Sequence, residues 1–150
     1  MARERLKRNM DFDSITSALA EGEHEGHPLL IRFREFPDNF PRGSYPDRLN
    51  LFWQMLEVDE NGWHNELEFE RLRAFEDRLV EAVERDGQSI LSVVLTCNNE
   101  KEFVFHTADE AIFLGRLTNM PQEQERYPLT ILRNTDPEWN YFDSVIPGQT

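Results

Sequence analysis

Apolar residues recur along this chain with two periods, about 3.6 residues and two residues, and the alternation between them predicts its elements. Phe12, Ile15 and Leu19 fall at i, i+3 and i+7 before Gly22 and Gly26, which predicts a short amphipathic helix docked on the body. Residues 28–36 place Leu29, Ile31 and Phe33 on one side and Arg32 and Arg34 on the other, as in a strand. Three prolines with Gly43 and Ser44 make residues 37–46 a loop. Beyond it, Leu49, Leu51, Trp53 and Met55 share one face of a strand over residues 48–56, while Phe52 and Leu56 keep the other partly apolar.

A polar turn over residues 57–63 leads into the clearest helix, over residues 65–86. Leu72, Phe75, Leu79, Ala82 and Val83 form its apolar stripe, Glu70/Arg73 and Glu81/Arg85 stand at supporting spacings, and Gly87 stops it. Residues 89–97 are almost continuously apolar, with Leu91, Val93, Leu95 and Cys97 on one face and Ile90, Ser92, Val94 and Thr96 on the other, which predicts a central strand. Asn98, Asn99 and Glu100 turn it into a partner strand over residues 102–106, where Phe103 and Phe105 share a face. Thr107-Ala108-Asp109-Glu110 has the form of a capping box opening a helix that runs to Asn119, with Pro121 beyond it. Residues 127–133 form a last strand with Leu129 and Ile131 on one side. Asp136-Pro137-Glu138-Trp139 then combines an N-cap residue, proline at the first helical position and an acid in the first turn of a closing helix bearing Tyr141, Phe142 and Val145.

From residue 48 to residue 133 the order is strand, helix, strand, strand, helix, strand. We therefore expect an α+β fold: a ferredoxin-like split βαββαβ core, an extra antiparallel N-terminal strand beside the second strand, and short terminal helices. Residues 1–26 read as a tail and helix, and residues 27–150 as a single α+β domain. Right-handed crossovers put both core helices on one sheet face. The opposite face is expected to lie under a terminal helix; the alternative is an open face with Val94, Val104 and Leu132 that takes a partner.

Charge narrows the function. The 150 residues carry 16 Lys plus Arg against 29 Asp plus Glu, a net charge of −13, and 39% hydrophobic residues are too many for a disordered chain. Such a body repels phosphate backbones, which argues against direct nucleic-acid binding and favours a basic protein partner. Four of the first ten residues are nevertheless basic, a cationic tail on an acidic body. The longest uncharged apolar runs reach about half the roughly 20 residues of a membrane span. With no signal-peptide core at the N-terminus and a single Cys97, the expectation is a cytosolic protein without disulfides, apart from membranes.

Motifs for catalysis are missing. His24-Glu25-Gly26-His27 has one residue between Glu and the second His where a zinc-protease helix needs two. His64 precedes a helix and His106 ends a strand, neither with a predictable carboxylate or serine partner, and Cys97 reads as a small core hydrophobe. The seven glycines form neither a phosphate-cradling loop nor a dinucleotide fingerprint. We therefore assign no catalytic, cofactor-binding or metal-binding residues and expect no cofactor. What remains is surface. Glu57, Asp59 and Glu60 beside Trp63 suit an Arg or Lys of another protein. They continue into the acidic outer side of the long helix, with Glu66, Glu70, Asp77, Glu81 and Glu84.

The segment from Leu79 to Gly87, the run Glu102-Phe103-Val104-Phe105-His106-Thr107, Tyr127-Pro128-Leu129 and above all Asp136-Pro137-Glu138-Trp139-Asn140-Tyr141-Phe142 carry a resemblance. From about Tyr45 onward the chain resembles the bacterial family called domain of unknown function 695, whose members look like relatives of regulator of ribonuclease E activity B. The resemblance implies a ferredoxin-like fold and a non-catalytic binding role, and supplies no catalytic residues. The resulting expectation is an acidic domain that inhibits a basic protein partner, as an immunity protein neutralises a bacterial toxin. A regulator of RNA decay that binds a ribonuclease is the alternative, and a small enzyme with an unrecognised site is the third reading.

Overall fold

The computed structural model describes residues 12–55, 66–120 and 127–147. Six antiparallel strands form one sheet: β1 (Ser17–His24), β2 (His27–Arg34), β3 (Asp47–Gln54), β4 (Ser89–Cys97), β5 (Glu100–Thr107) and β6 (Leu129–Thr135). Their spatial order is β1-β2-β4-β5-β3-β6. Among the described residues three helices accompany them: α1 (Glu66–Glu84), α2 (Glu110–Asn119) and α3 (Asn140–Val145). The fold is α+β, and the succession strand, helix, strand, strand, helix, strand runs from β3 to β6.

Burial follows the alternation. Leu49, Leu51 and Trp53 of β3 and Phe103 and Phe105 of β5 point to one face, where they meet Leu72, Phe75, Leu79 and Val83 of α1 and Phe113 and Leu117 of α2. Each fully buried Leu or Phe contributes roughly 1.5–3 kcal/mol, so α1 is held by its stripe. Gly87, at φ +77°, reverses the chain after it.

Four expectations change. Residues 12–24 are not helical: Phe12–Ser14 is a single 3-10 turn, and the following residues form β1. Phe12 and Ile15 are buried as expected, but Leu19, the third member of the stripe, is 68% exposed. The inward side of β1 is Ala18 and Ala20, and Glu25 (φ 51°) with Gly26 (φ 83°) closes a two-residue hairpin that pairs His24 with His27. Next, β2 adds beside β4 rather than beside β3, because β5 and β6 occupy both edges of β3. In β4, the register shifts between Leu91 and Val93, so Leu91 and Val94 face the helices while Ile90 and Val93 face the other way. Finally, both cap motifs are displaced. Asp109, not Thr107, caps α2, its carboxylate accepting from the amides of Ala111 and Ile112. Asp136 accepts from the amides of Asn140 and Tyr141, so α3 begins four residues after it rather than at Pro137.

The second sheet face is covered where Ile31, Ile90, Val93 and Val104 lie under Phe12, Phe40, Tyr45, Trp139 and Phe142. The cover is the 3-10 turn, the loop of residues 36–45 and α3. Leu132, towards the β6 edge, stays 49% exposed.

Candidate functional site

The carboxylates of α1 divide into two sets. Glu68 is buried and accepts from the Trp53 indole at 2.8 Å; Glu76 takes Arg32 of β2 at 2.6 Å; Glu84 takes Arg34 at 3.3 Å and the Leu91 amide at 2.8 Å. Glu84 thus belongs to the interior, not to the outer face. Glu66, Glu70, Asp77 and Glu81 are exposed, and the basic Arg73 and Arg78 are exposed on the same helix. Of the residues expected to meet a partner, the structure brings Glu66 and Glu70 together one turn apart at the start of α1. Glu57, Asp59, Glu60 and Trp63 lie outside the described residues.

A second set of exposed acids went unread in the sequence. Glu21, Glu23 and Glu25 stand on β1 and its turn, with Glu35 and Asp38 following β2. Their signal was present in the two-residue spacing of Glu21, Glu23 and Glu25, which a helical reading disperses around an axis.

Five arginines are tied to carboxylates. Arg32, Arg34, Arg42, Arg48 and Arg116 each pair with a carboxylate, on Glu76, Glu84, Asp143, Asp136 and Asp86 respectively. The Arg48 and Asp136 side chains are only 14% and 6% exposed, and their 2.6 Å contact is the core of a polar network on the covered face. Arg48 also bonds the Asn50 side-chain oxygen, Asn50 donates to Glu102, and the Tyr141 hydroxyl donates to the same Glu102 oxygen at 2.7 Å. Burial raises the Tyr141 phenol, and its bond to Glu102 and that carboxylate's charge raise it further. Asp136 is held below the usual carboxylate range despite burial, because the amides of Tyr141 and Asn140 and the Arg48 guanidinium favour its ionised form. These groups satisfy one another and hold α3 on the sheet, so the closing motif is an anchor.

Within that anchor Trp139 adopts φ 63° and ψ 38°, a left-handed conformation costing a bulky residue roughly 1–2 kcal/mol. Its indole donates to the Tyr45 carbonyl at 3.1 Å, and its ring stacks on His106 at 3.9 Å. His106 is fully buried with neither ring nitrogen hydrogen-bonded. Burial pushes its pKa down to about 3; the charge of Asp136 opposes the shift, and the charges of Arg48 and Arg42 add to it. It is a neutral ring serving as packing. Burial, and then the charge of Glu25, raises the Cys97 thiol, opposite to what a nucleophile needs. Among the described residues no three His, Cys, Asp or Glu side chains form a group able to hold a metal. No described helix is long and apolar enough to cross a membrane.

Sheet and helices together define an acidic α+β domain in which exposed acids outnumber exposed bases among the described residues. The chain belongs to the family of unknown function DUF695, whose model matches residues 19–145. No curated protein and no solved structure matches it.

Proposed function

We propose that this chain is a non-catalytic acidic protein-binding domain that restrains a basic protein by covering it, and specifically an immunity protein that neutralises a bacterial toxin. The observation carrying this reading is the excess of exposed acids over exposed bases among the described residues. Glu21, Glu23, Glu25, Glu66, Glu70 and other acids face solvent and outnumber the exposed Arg73, Arg78, Arg85 and Arg133, in a chain of net charge −13. Carboxylates displayed on a rigid sheet-and-helix body speed encounter with a Lys- and Arg-rich surface and occlude it once docked.

The second reading, a cytoplasmic regulator of RNA decay, draws on the strand order. The order β4-β5-β3-β6, with α1 and α2 on one face, supports a ferredoxin-like reading of the core, the fold implied above by the resemblance to regulator of ribonuclease E activity B. Both readings require a basic partner.

The test is association with the product of the gene immediately upstream. A basic protein is expected, with an association rate that falls at least tenfold between about 50 and 500 mM salt and falls again in Glu66→Lys/Glu70→Lys. A rate indifferent to salt overturns the electrostatic reading, and a ribonuclease encoded elsewhere as the sole ligand favours the second one.

A further inference from the structure

Arg78, Glu81, Ala82 and Arg85 recur at i, i+3, i+4 and i+7 along and just beyond α1. Ile112, Gly115, Arg116 and Asn119 repeat the same spacing along α2. The two stripes face each other across an open groove of about 560 Å³, with the buried Met120 also in its lining. That volume lies within the roughly 300–1,000 Å³ typical of small-molecule sites.

The groove's charge runs against that of the molecule. Three guanidiniums line it in a chain of net charge −13. Arg116 is clamped by two bonds to Asp86, at 2.8 and 2.7 Å, which fixes its plane and leaves further donors. Arg78 donates to the Tyr127 hydroxyl at 2.9 Å. Arg85 is exposed and makes no hydrogen bond or ion pair to a described residue. With Glu81 and Asp86 as the opposing acids, one positive charge is left in excess.

Gly115 is an independent observation. Glycine is the poorest helix former after proline, yet it sits inside α2. A Cβ there would meet no atom within 4 Å, so internal packing does not require glycine. Its effect is to leave bare backbone at the groove wall, beside Ile112, which is 38% exposed. Close approach by something outside the chain is what a glycine in that place permits.

We propose that the α1–α2 groove binds a small organic anion, its phosphate or carboxylate held by Arg85 and Arg116 and its hydrocarbon body lying on Ile112, Ala82 and the Gly115 backbone. This site is separate from the acids of β1 and the start of α1 that would meet a basic protein, and neither reading requires the other.

The test is titration of the full chain, followed by backbone amide NMR, with phenyl phosphate and 3-phenylpropanoate as probes. Inorganic phosphate and benzyl alcohol supply the anion and the ring separately. Saturable shifts are expected at residues 78–86 and 112–119 for at least one of the two probes, with affinity at least tenfold above either control. Arg85→Ala should weaken that binding at least tenfold. Gly115→Ala should weaken it comparably without lowering the thermal midpoint, a combination that a purely structural glycine would not produce. Absence of saturable shifts, equal binding of inorganic phosphate, or affinity unchanged in both variants overturns the proposal.

Discussion

His106 shows how a single residue can set the acid tolerance of the fold. Both ring nitrogens are buried without a hydrogen-bond partner, and the ring lies flat on Trp139. Desolvation lowers its pKa from 6.5 to about 3, so the folded chain holds it neutral where the unfolded chain protonates it. Between pH 6.5 and 3 the unfolded state binds the extra proton, and stability therefore rises with pH in that window and is lost as pH falls through it. Asp136 and Asp86, both held low, add their losses only near and below the ordinary carboxylate range. At about 1.4 kcal/mol per pH unit, His106 alone accounts for a loss of about 2–3 kcal/mol between pH 6.5 and 4.5. Urea unfolding of wild type at these two pH values should show it. In His106→Phe, which keeps a ring against Trp139 and removes the titrating group, most of the loss should vanish; an equal loss in both proteins would contradict the assignment.

At the scale of elements, the cap of α2 offers a clean measurement. Asp109 accepts from two amides of the first turn, and Asp109→Ala should lower stability by about 1 kcal/mol with an unchanged denaturant slope, read as a shift in the urea midpoint. The cap also illustrates what sequence patterning conveys. Long periods were legible: the α1 stripe of Leu72, Phe75, Leu79 and Val83 and the β4–β5 hairpin appear where the pattern put them. Short segments were ambiguous. Phe12 and Ile15 satisfy a helical spacing, while the real inward side of β1 consists of two alanines, too small to announce a strand. The turn Glu25-Gly26 was the available clue, because a polar residue before glycine favours the two-residue hairpin. The bulge near Ser92 left no compositional trace, since Leu91, Val93 and Val94 are interchangeable as apolar residues and only pairing with Phe105, Val104 and Phe103 separates their faces. Nor could sequence assemble Arg48, Asn50, Glu102, Asp136 and Tyr141, whose meeting depends on the registers of β3 with β5 and β6. Exposed acids were legible only as a charge class, and that class was blurred where Glu84 turned inward to Arg34.

For the molecule as a whole, the arrangement of charge leads to a prediction independent of any partner. Five arginines lie in partly or largely shielded pairs, while acids on β1, its turn and α1 face solvent. Salt therefore acts unequally on the two populations. Raising it from about 0.01 to 0.1 M shortens the screening length from about 30 to about 10 Å. Repulsion among widely spaced exposed carboxylates is then largely removed, whereas the 2.6 Å contact of Arg48 with Asp136 is too close and too buried to weaken much. Self-repulsion of a net charge of −13 destabilises the compact state, so its relief should raise the thermal midpoint by about 2–4 °C, equivalent to about 1 kcal/mol. Glu21→Lys/Glu23→Lys, which places opposite charge within the acidic set, should raise the low-salt midpoint and shrink the response to salt. A midpoint that falls on adding salt would mean that exposed attractive pairs dominate the surface, and the electrostatic basis for recognising a basic partner would be lost with it.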